Sequence, residues 1–525
     1  QGNYIGLGAD GTTAYANGGS GILVFTSSGN TIGGTAANTG NVISANGGSG
    51  VYIDQAGSSN NALYGNLIGL ASDGSTDRGN TSDGVLLSSA DGTQIGDGTV
   101  SGRNVISGNG GNGVYNSIAT NTVIIGNYIG TNAAGTAAVA NAANGVTLFW
   151  TSSVQIGGST AGHGNVISGN TGSGIGGGNT GTTLIIQGNY IGTNAAGSAA
   201  IANGANGIDV STSVTIGGTA AGAGNLISGN TGRGIFFNNT AGSGFTATVQ
   251  GNYIGTDATG VTAITNGQEG IWVYYYDNTQ IGGTTAAARN VILAAANRYP
   301  LSITGPGTHA VEGNHIGANV NGDAVTAHFY TVLLESTTNT TLGGTASGAG
   351  NLIRGSANQG VFIWNNTTRA ALLRNQIHSN GNIGIDIAPG GVTTNNGTKS
   401  DTSPNRDMDY PVFTAASVDG TTLNVAGYVG SAAGQAAFAG SRVEVFLSSN
   451  DASGYGEGQA YLGYVTADGS GNFSGSFTVA SAVVAGDKVT GTATDTGSPP
   501  ATSEFGPNFT VTEVRSEEHT PELQS

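Results

Sequence analysis

Thirteen N-x-I steps punctuate the first three quarters of this chain, beginning at Asn3, Asn41, Asn66, Asn104, Asn127, Asn165, Asn189, Asn225, Asn252, Asn290, Asn314, Asn351 and Asn375. Their intervals alternate between long (36 to 38 residues) and short (23 to 27), so the repeating unit is a pair of coils of about 62 residues. A short step holds three β-like runs, as in NVIS, SGVYI at 49–53 and NALY at 61–64, each broken by Gly or Asn. Three short strands per turn predict a triangular coil. The long steps keep the three runs and add stretches such as TNAAGTAAVANAA, which read as loops inserted at corners.

Composition fits this reading and excludes others. The chain has 96 glycines in 525 residues and only 8% charged residues, yet it is 37% hydrophobic. No G-X-Y period points to collagen, and disorder does not fit the apolar content, which leaves a repeat architecture with Gly or Asn at its turns. The absence of cysteine rules out disulfides and thiolate metal sites. A net charge of −17 with 13 Lys plus Arg argues against nucleic acid or an anionic membrane as partner. No apolar run reaches the roughly 18 residues of a membrane span, so no direct membrane insertion is expected.

The phrase GNVISGN at 164–170, echoed as RNVISGN and GNLISGN, predicts scaffold rather than chemistry. Period-2 alternation places Ile167 inward and Val166 and Ser168 outward, with Asn165 at the corner. Stacked coil on coil, such asparagines can bond one another and the turn backbone as an amide ladder.

These repeats resemble the right-handed parallel β-helix of the pectate-lyase-like superfamily and the β-helix repeats of bacterial surface proteins, over roughly residues 2–390. The resemblance implies a parallel solenoid of about 13 coils, near 60 Å long at about 4.8 Å per coil. After NIGIDIA the pattern ends, and 391–410 form a Pro-, Asn- and Asp-rich join. From 411 to 514, seven alternating runs separated by Gly and Asp turns predict a small antiparallel β-sandwich. The run EGQAYLGYVTADGSGNFSGSF is similar to the Ig-like sandwich that follows such helices in surface proteins. The last stretch, 515–525 (RSEEHTPELQS), looks like translated sequencing adapter, and the start at Gln1 inside a repeat reads as a fragment edge.

Enzymes of the superfamily cleave polysaccharides with clustered carboxylates, often with Ca²⁺ and an Arg or Lys base. Here the only lysines, Lys399 and Lys488, lie beyond the repeats. The best polar grouping is Asp209, Arg233 and Glu269, but Asp209 and Glu269 stand two coils apart, about 10 Å along the axis. That exceeds the spacing of glycosidase carboxyls, about 5 to 9.5 Å, and an Arg233–Glu269 surface ion pair is expected instead. None of the six histidines has metal-ligand spacing with another.

Aromatic residues carry the other signal. The outward positions of the middle strand include Tyr52, Tyr115, Phe236, Trp272 and Phe362, and the next outward set includes Phe149, Tyr274, Glu335 and Trp364. Such rings suit the apolar faces of sugars, unless corner loops fold over them as a secondary core. Phe236, Trp272 and Tyr274, with Asp209 and Glu269, are therefore the candidate ligand-binding residues. At the join, Asn395, Asn396, Asp401, Asp407 and Asp409 offer hard oxygen ligands suited to a structural Ca²⁺, against a plain turn-forming linker. The functional expectation is a secreted or cell-surface, non-catalytic stalk or adhesin that binds glycan, with a polysaccharide lyase or hydrolase as the alternative and a spacer as the second.

Overall fold

A computed structural model describes residues 1–514, apart from 179–182, 240–241, 450–452 and 480–482. The expected adapter-like tail lies outside the described residues. The first part is a parallel β-solenoid of about 12 full turns, as many as there are strands in one of its three faces. Sheet 1 carries the two-residue strands of the N-x-I steps, such as Val166–Ile167; sheet 2 has 13 strands, such as Ile271–Tyr274; sheet 3 has 12, such as Asn278–Gly282. Pairing between coils is parallel and in register, so equivalent residues form straight columns along the rod, as Val105, Tyr128, Val166 and Tyr190 do. Among the described residues no helix is long and apolar enough to cross a membrane.

The core is one apolar column set running the length of the rod, with Ile43, Ile68, Ile106, Ile129 and Ile167 fully buried in succession. The corner asparagines form the predicted ladder. Asn165 donates from its backbone N–H and its Nδ2 to Asn189 Oδ1, at 3.0 and 2.8 Å, and Nδ2 also donates to Ile124 O at 2.8 Å. Each side chain thus completes the hydrogen bonding of a turn in a position closed to water. A second ladder, missed in the sequence, runs parallel through Asn46, Asn80, Asn109, Asn141, Asn170, Asn203, Asn230 and Asn266.

Ile167 is inward as expected, but Val166 and Ser168 are not exposed. Val166 is only 5% exposed and Ser168 is buried, donating from Oγ to Thr193 O at 2.8 Å and accepting Gly192 N–H at 2.9 Å. The inserted loops explain the difference: they fold back over sheet 1. Gly135 tips one loop onto the Tyr128 ring with φ of +67°, so close that a Cβ there would stand 2.9 Å from the ring. The loops stack on one another, with Ala133 N–H donating to Gly74 O and Ala195 N–H to Gly135 O. Sheet 2, the aromatic face, is left clear of them.

All seven expected strands of the second part form, from Pro411–Asp419 to Phe509–Thr510, as two facing layers around Phe413, Phe438, Val443 and Phe473. One layer continues sheet 1, because Ile377 in the last coil pairs antiparallel with Gly458. Phe446 and Phe505 fill the end of the solenoid core. Three buried glutamates of the sandwich receive backbone N–H groups of the last coil: Arg374 donates to Glu444 (2.7 Å), Ser379 to Glu457 (2.8 Å) and Ile387 to Glu504 (2.8 Å). The sandwich closes the rod where a next coil would otherwise pair. The join is part of that closure, with buried Asn405 accepting Ala370 N–H at 2.6 Å and donating to Ala370 O at 3.0 Å.

Candidate functional site

Three columns of side chains define the outer face of sheet 2. They lie two residues before the first strand residue, one after it and three after it. Toward the C-terminal half the first column reads Arg233, Glu269, Tyr299, Tyr330; the second Phe236, Trp272, Ser302, Leu333, Phe362; the third Tyr274, Thr304, Glu335. Small Ser302 and Thr304 follow large Trp272 and Tyr274, so the face is notched for one coil between aromatic walls. The notch is a cleft of about 380 Å³, reached by Trp272 and Arg233 from one side and by Tyr330, Leu333 and Trp364 from the other.

Ring packing fixes both walls. Phe236 and Trp272 have centroids 5.2 Å apart, and Tyr274 meets Trp272 edge-on at 5.3 Å. Opposite, Tyr299 stacks on Tyr330 at 5.9 Å and 10°, Tyr330 packs on Phe362 at 4.7 Å, and Phe362 meets Trp364 edge-on at 5.2 Å. Phe236, Trp272 and Tyr274 form one cluster as expected but are half-buried against each other rather than an exposed strip. Phe362 is a buried ring, 4% exposed beneath Tyr330, while Trp364 at the rim is 43% exposed.

Polar groups are held in fixed positions between these walls. Arg233 Nε donates to Glu269 Oε2 at 2.8 Å, and its guanidinium lies over Trp272 and Phe236 at 4.2 and 4.7 Å. The expected ion pair therefore exists, but Glu269 is buried rather than on the open surface. Trp272 Nε1 donates to Thr304 Oγ1 at 3.1 Å, and Thr304 Oγ1 donates to Glu335 Oε2 at 3.5 Å. Burial, reinforced by the negative charge of Glu269, raises the Tyr299 phenol above its ordinary range and keeps its O–H as a donor.

Asp209 stands elsewhere. It faces a second hollow of about 430 Å³, opened where the strand Ile175–Gly178 carries only glycine after its first residue. Phe236 separates it from the cleft. Asn206 Nδ2 donates to its Oδ2 at 2.9 Å, and burial raises its carboxyl above the usual range. The two carboxylates of the cleft are also far apart at the backbone. Glu269 and Glu335 lie two coils and five residue positions apart, about 10 Å along the axis and about 16 Å across it. Arg233, on the coil away from Glu335, holds Glu269 back, and at the backbone both pairings are wider than the separation of glycosidase carboxyls.

The join residues use their oxygens locally. Asn395 Oδ1 accepts Tyr410 N–H at 2.9 Å; Asp409 accepts Asn396 N–H at 3.1 Å and Gly397 N–H at 2.8 Å; Asp407 Oδ2 accepts from Asn396 Nδ2 at 2.6 Å. Asp401 is paired with Arg369 at 3.0 Å and Arg406 at 2.7 Å. Among the described residues no group of three or more His, Asp or Glu side chains stands close enough to hold a metal ion. The five residues act as turn caps and ion-pair partners in this arrangement.

Sequence reading picked out Arg233 and Glu269 of the column two residues before the strand but missed Tyr299 and Tyr330, which continue it once the register is fixed, and Arg298 on the turn beside them. Fold and site together define the chain as a parallel β-solenoid with a terminal β-sandwich and an aromatic-walled cleft on one face. No known protein-family model matches the chain.

Proposed function

We propose that this protein is a non-catalytic, extracellular β-solenoid stalk or adhesin that binds glycan in the cleft of sheet 2. The observation that supports this most is the notch at Ser302 and Thr304, where ring walls from Trp272, Tyr330 and Trp364 flank a floor of hydroxyls and carboxylates. Flat rings contact the C–H faces of sugar rings, and carboxylates accept from sugar hydroxyls. A volume of about 380 Å³ is within the range of small-ligand sites and suits one or two sugar units of a longer chain. The spacing of Glu269 and Glu335 supports binding over hydrolysis. A display role outside a bacterial cell follows the resemblance to surface β-helix proteins that end in a sandwich.

The test is binding to a panel of polysaccharides by the wild type, Trp272→Ala and Trp364→Ala, with new reducing or unsaturated ends followed in parallel. Binding lost in both variants without a large drop in melting temperature supports the cleft. Release of new ends by the wild type would favour the lyase or hydrolase reading. Binding retained in both variants moves the site elsewhere.

A further inference from the structure

The cleft has a definite charge character. Its ionic groups are two arginines, Arg233 and Arg298, and two glutamates, Glu269 and Glu335, which sum to zero. Arg233 is already engaged, with Nε on Glu269 and its plane over two rings. Its Nε edge is thereby occupied and its charge is matched by Glu269. Arg298 is the remaining cation, on an exposed turn at the rim. No lysine lies in the solenoid, and the net charge of −17 repels a polyanion at long range. A Ca²⁺-bridged acidic sugar would need clustered carboxylates, and among the described residues none are grouped for a metal. What faces the ligand is instead a set of groups matched to hydroxyls: Glu335 as acceptor, the Tyr299 and Tyr330 phenols, and Ser302 and Thr304 on the floor. Resting on the glycan-binding reading above, we infer that the ligand is an uncharged polysaccharide rather than a polyuronate or sulfated glycan. The unpaired hydroxyls of a neutral sugar satisfy these donors and acceptors, whereas a carboxylate buried beside Glu269 and Glu335 would meet two like charges, with Arg233 already matched by Glu269 and Arg298 out at the rim.

The chain's own fluorescence provides the assay, because two of its three tryptophans, Trp272 and Trp364, line the cleft. Soluble neutral polymers (dextran, laminarin, galactomannan) and acidic ones (polygalacturonate, alginate) are titrated into the full chain. Titrations are run from about 0.01 M to about 1 M NaCl, over which the screening length falls from about 30 to about 3 Å. The expected result is a saturable change with at least one neutral polymer, altered less than about threefold by salt and unchanged in Arg298→Ala, with no response to polyuronates. A polyuronate response that weakens with salt and is lost in Arg298→Ala overturns the inference and leaves glycan binding standing. Silence toward both classes, checked by affinity electrophoresis, overturns both.

Discussion

Glu504 of the sandwich accepts the backbone N–H of Ile387, the last strand residue of the solenoid, at 2.8 Å, and among the described residues it has no ion-pair partner. Its second oxygen accepts Thr393 N–H at 2.8 Å. Burial, the dominant cause, outweighs these donors and, with the nearby Asp386 charge, raises the carboxyl to about 7. Below the unfolded value of about 4.5 both states hold the proton and stability is at its fullest. It is lost as pH rises through 7, by about 3 kcal/mol for this group. The expected outcome is that the melting temperature of the wild type falls relative to that of Glu504→Gln, which cannot ionise, from pH 5 to pH 8. Parallel profiles would show that Glu504 does not titrate in this window.

Two buried histidines act in the opposite sense. His309 and His328 are pushed down to about 4 by burial, and among the described residues the His309 ring makes one hydrogen bond, Nδ1 with Thr279 Oγ1 at 2.9 Å. A His whose folded pKa is lowered contributes stability above about 6.5 that is lost as pH falls toward 4, about 3 kcal/mol each. His309→Leu should flatten the acid limb of the stability profile between pH 6.5 and 4. An unchanged slope would mean that another group governs it.

How much of this was legible beforehand depends on range in sequence. Ile167 and Asn165 were readable because their pattern recurs thirteen times and their roles repeat with it. Val166 was misassigned because the loop that covers it belongs to a neighbouring coil and obeys no period-2 rule. The second asparagine ladder is hard to see in the sequence because its members share no flanking motif, alternating between the end of an I-S-x-N phrase, as at Asn109, and the end of an inserted loop, as at Asn141. The rod's closure was invisible: Glu444, Glu457 and Glu504 meet backbone groups 70, 78 and 117 residues away. The cleft was half legible, with Trp272 and Glu269 found from one face and Tyr299 and Tyr330 found only through register.

Asn116 is an inward residue of sheet 2, in the column that holds Leu87 and Leu148, and neither its Nδ2 nor its Oδ1 has a hydrogen-bonding partner. A buried amide without partners costs about 1 to 3 kcal/mol. Asn116→Leu matches its neighbours in shape and should raise the melting temperature. A lower melting temperature would mean that the amide makes a bond the surrounding side chains do not reveal.

The notch itself can be filled. Ser302 occupies the column between Trp272 and Leu333, and its side chain is the reason the cleft exists on that coil. Ser302→Phe extends the aromatic column across the gap, since an outward ring there meets Trp272 on one coil and Leu333 on the next, each about 4.8 Å away. The position faces away from the rod's inner core, but Ser302 is itself buried, so the added ring should lower stability by about 1 to 3 kcal/mol while leaving the solenoid folded. Binding of a neutral polysaccharide should fall by at least tenfold, since the ring occupies the space the sugar needs. If Ser302→Phe folds normally and binds as the wild type does, the ligand does not enter the cleft and the aromatic walls serve only the fold.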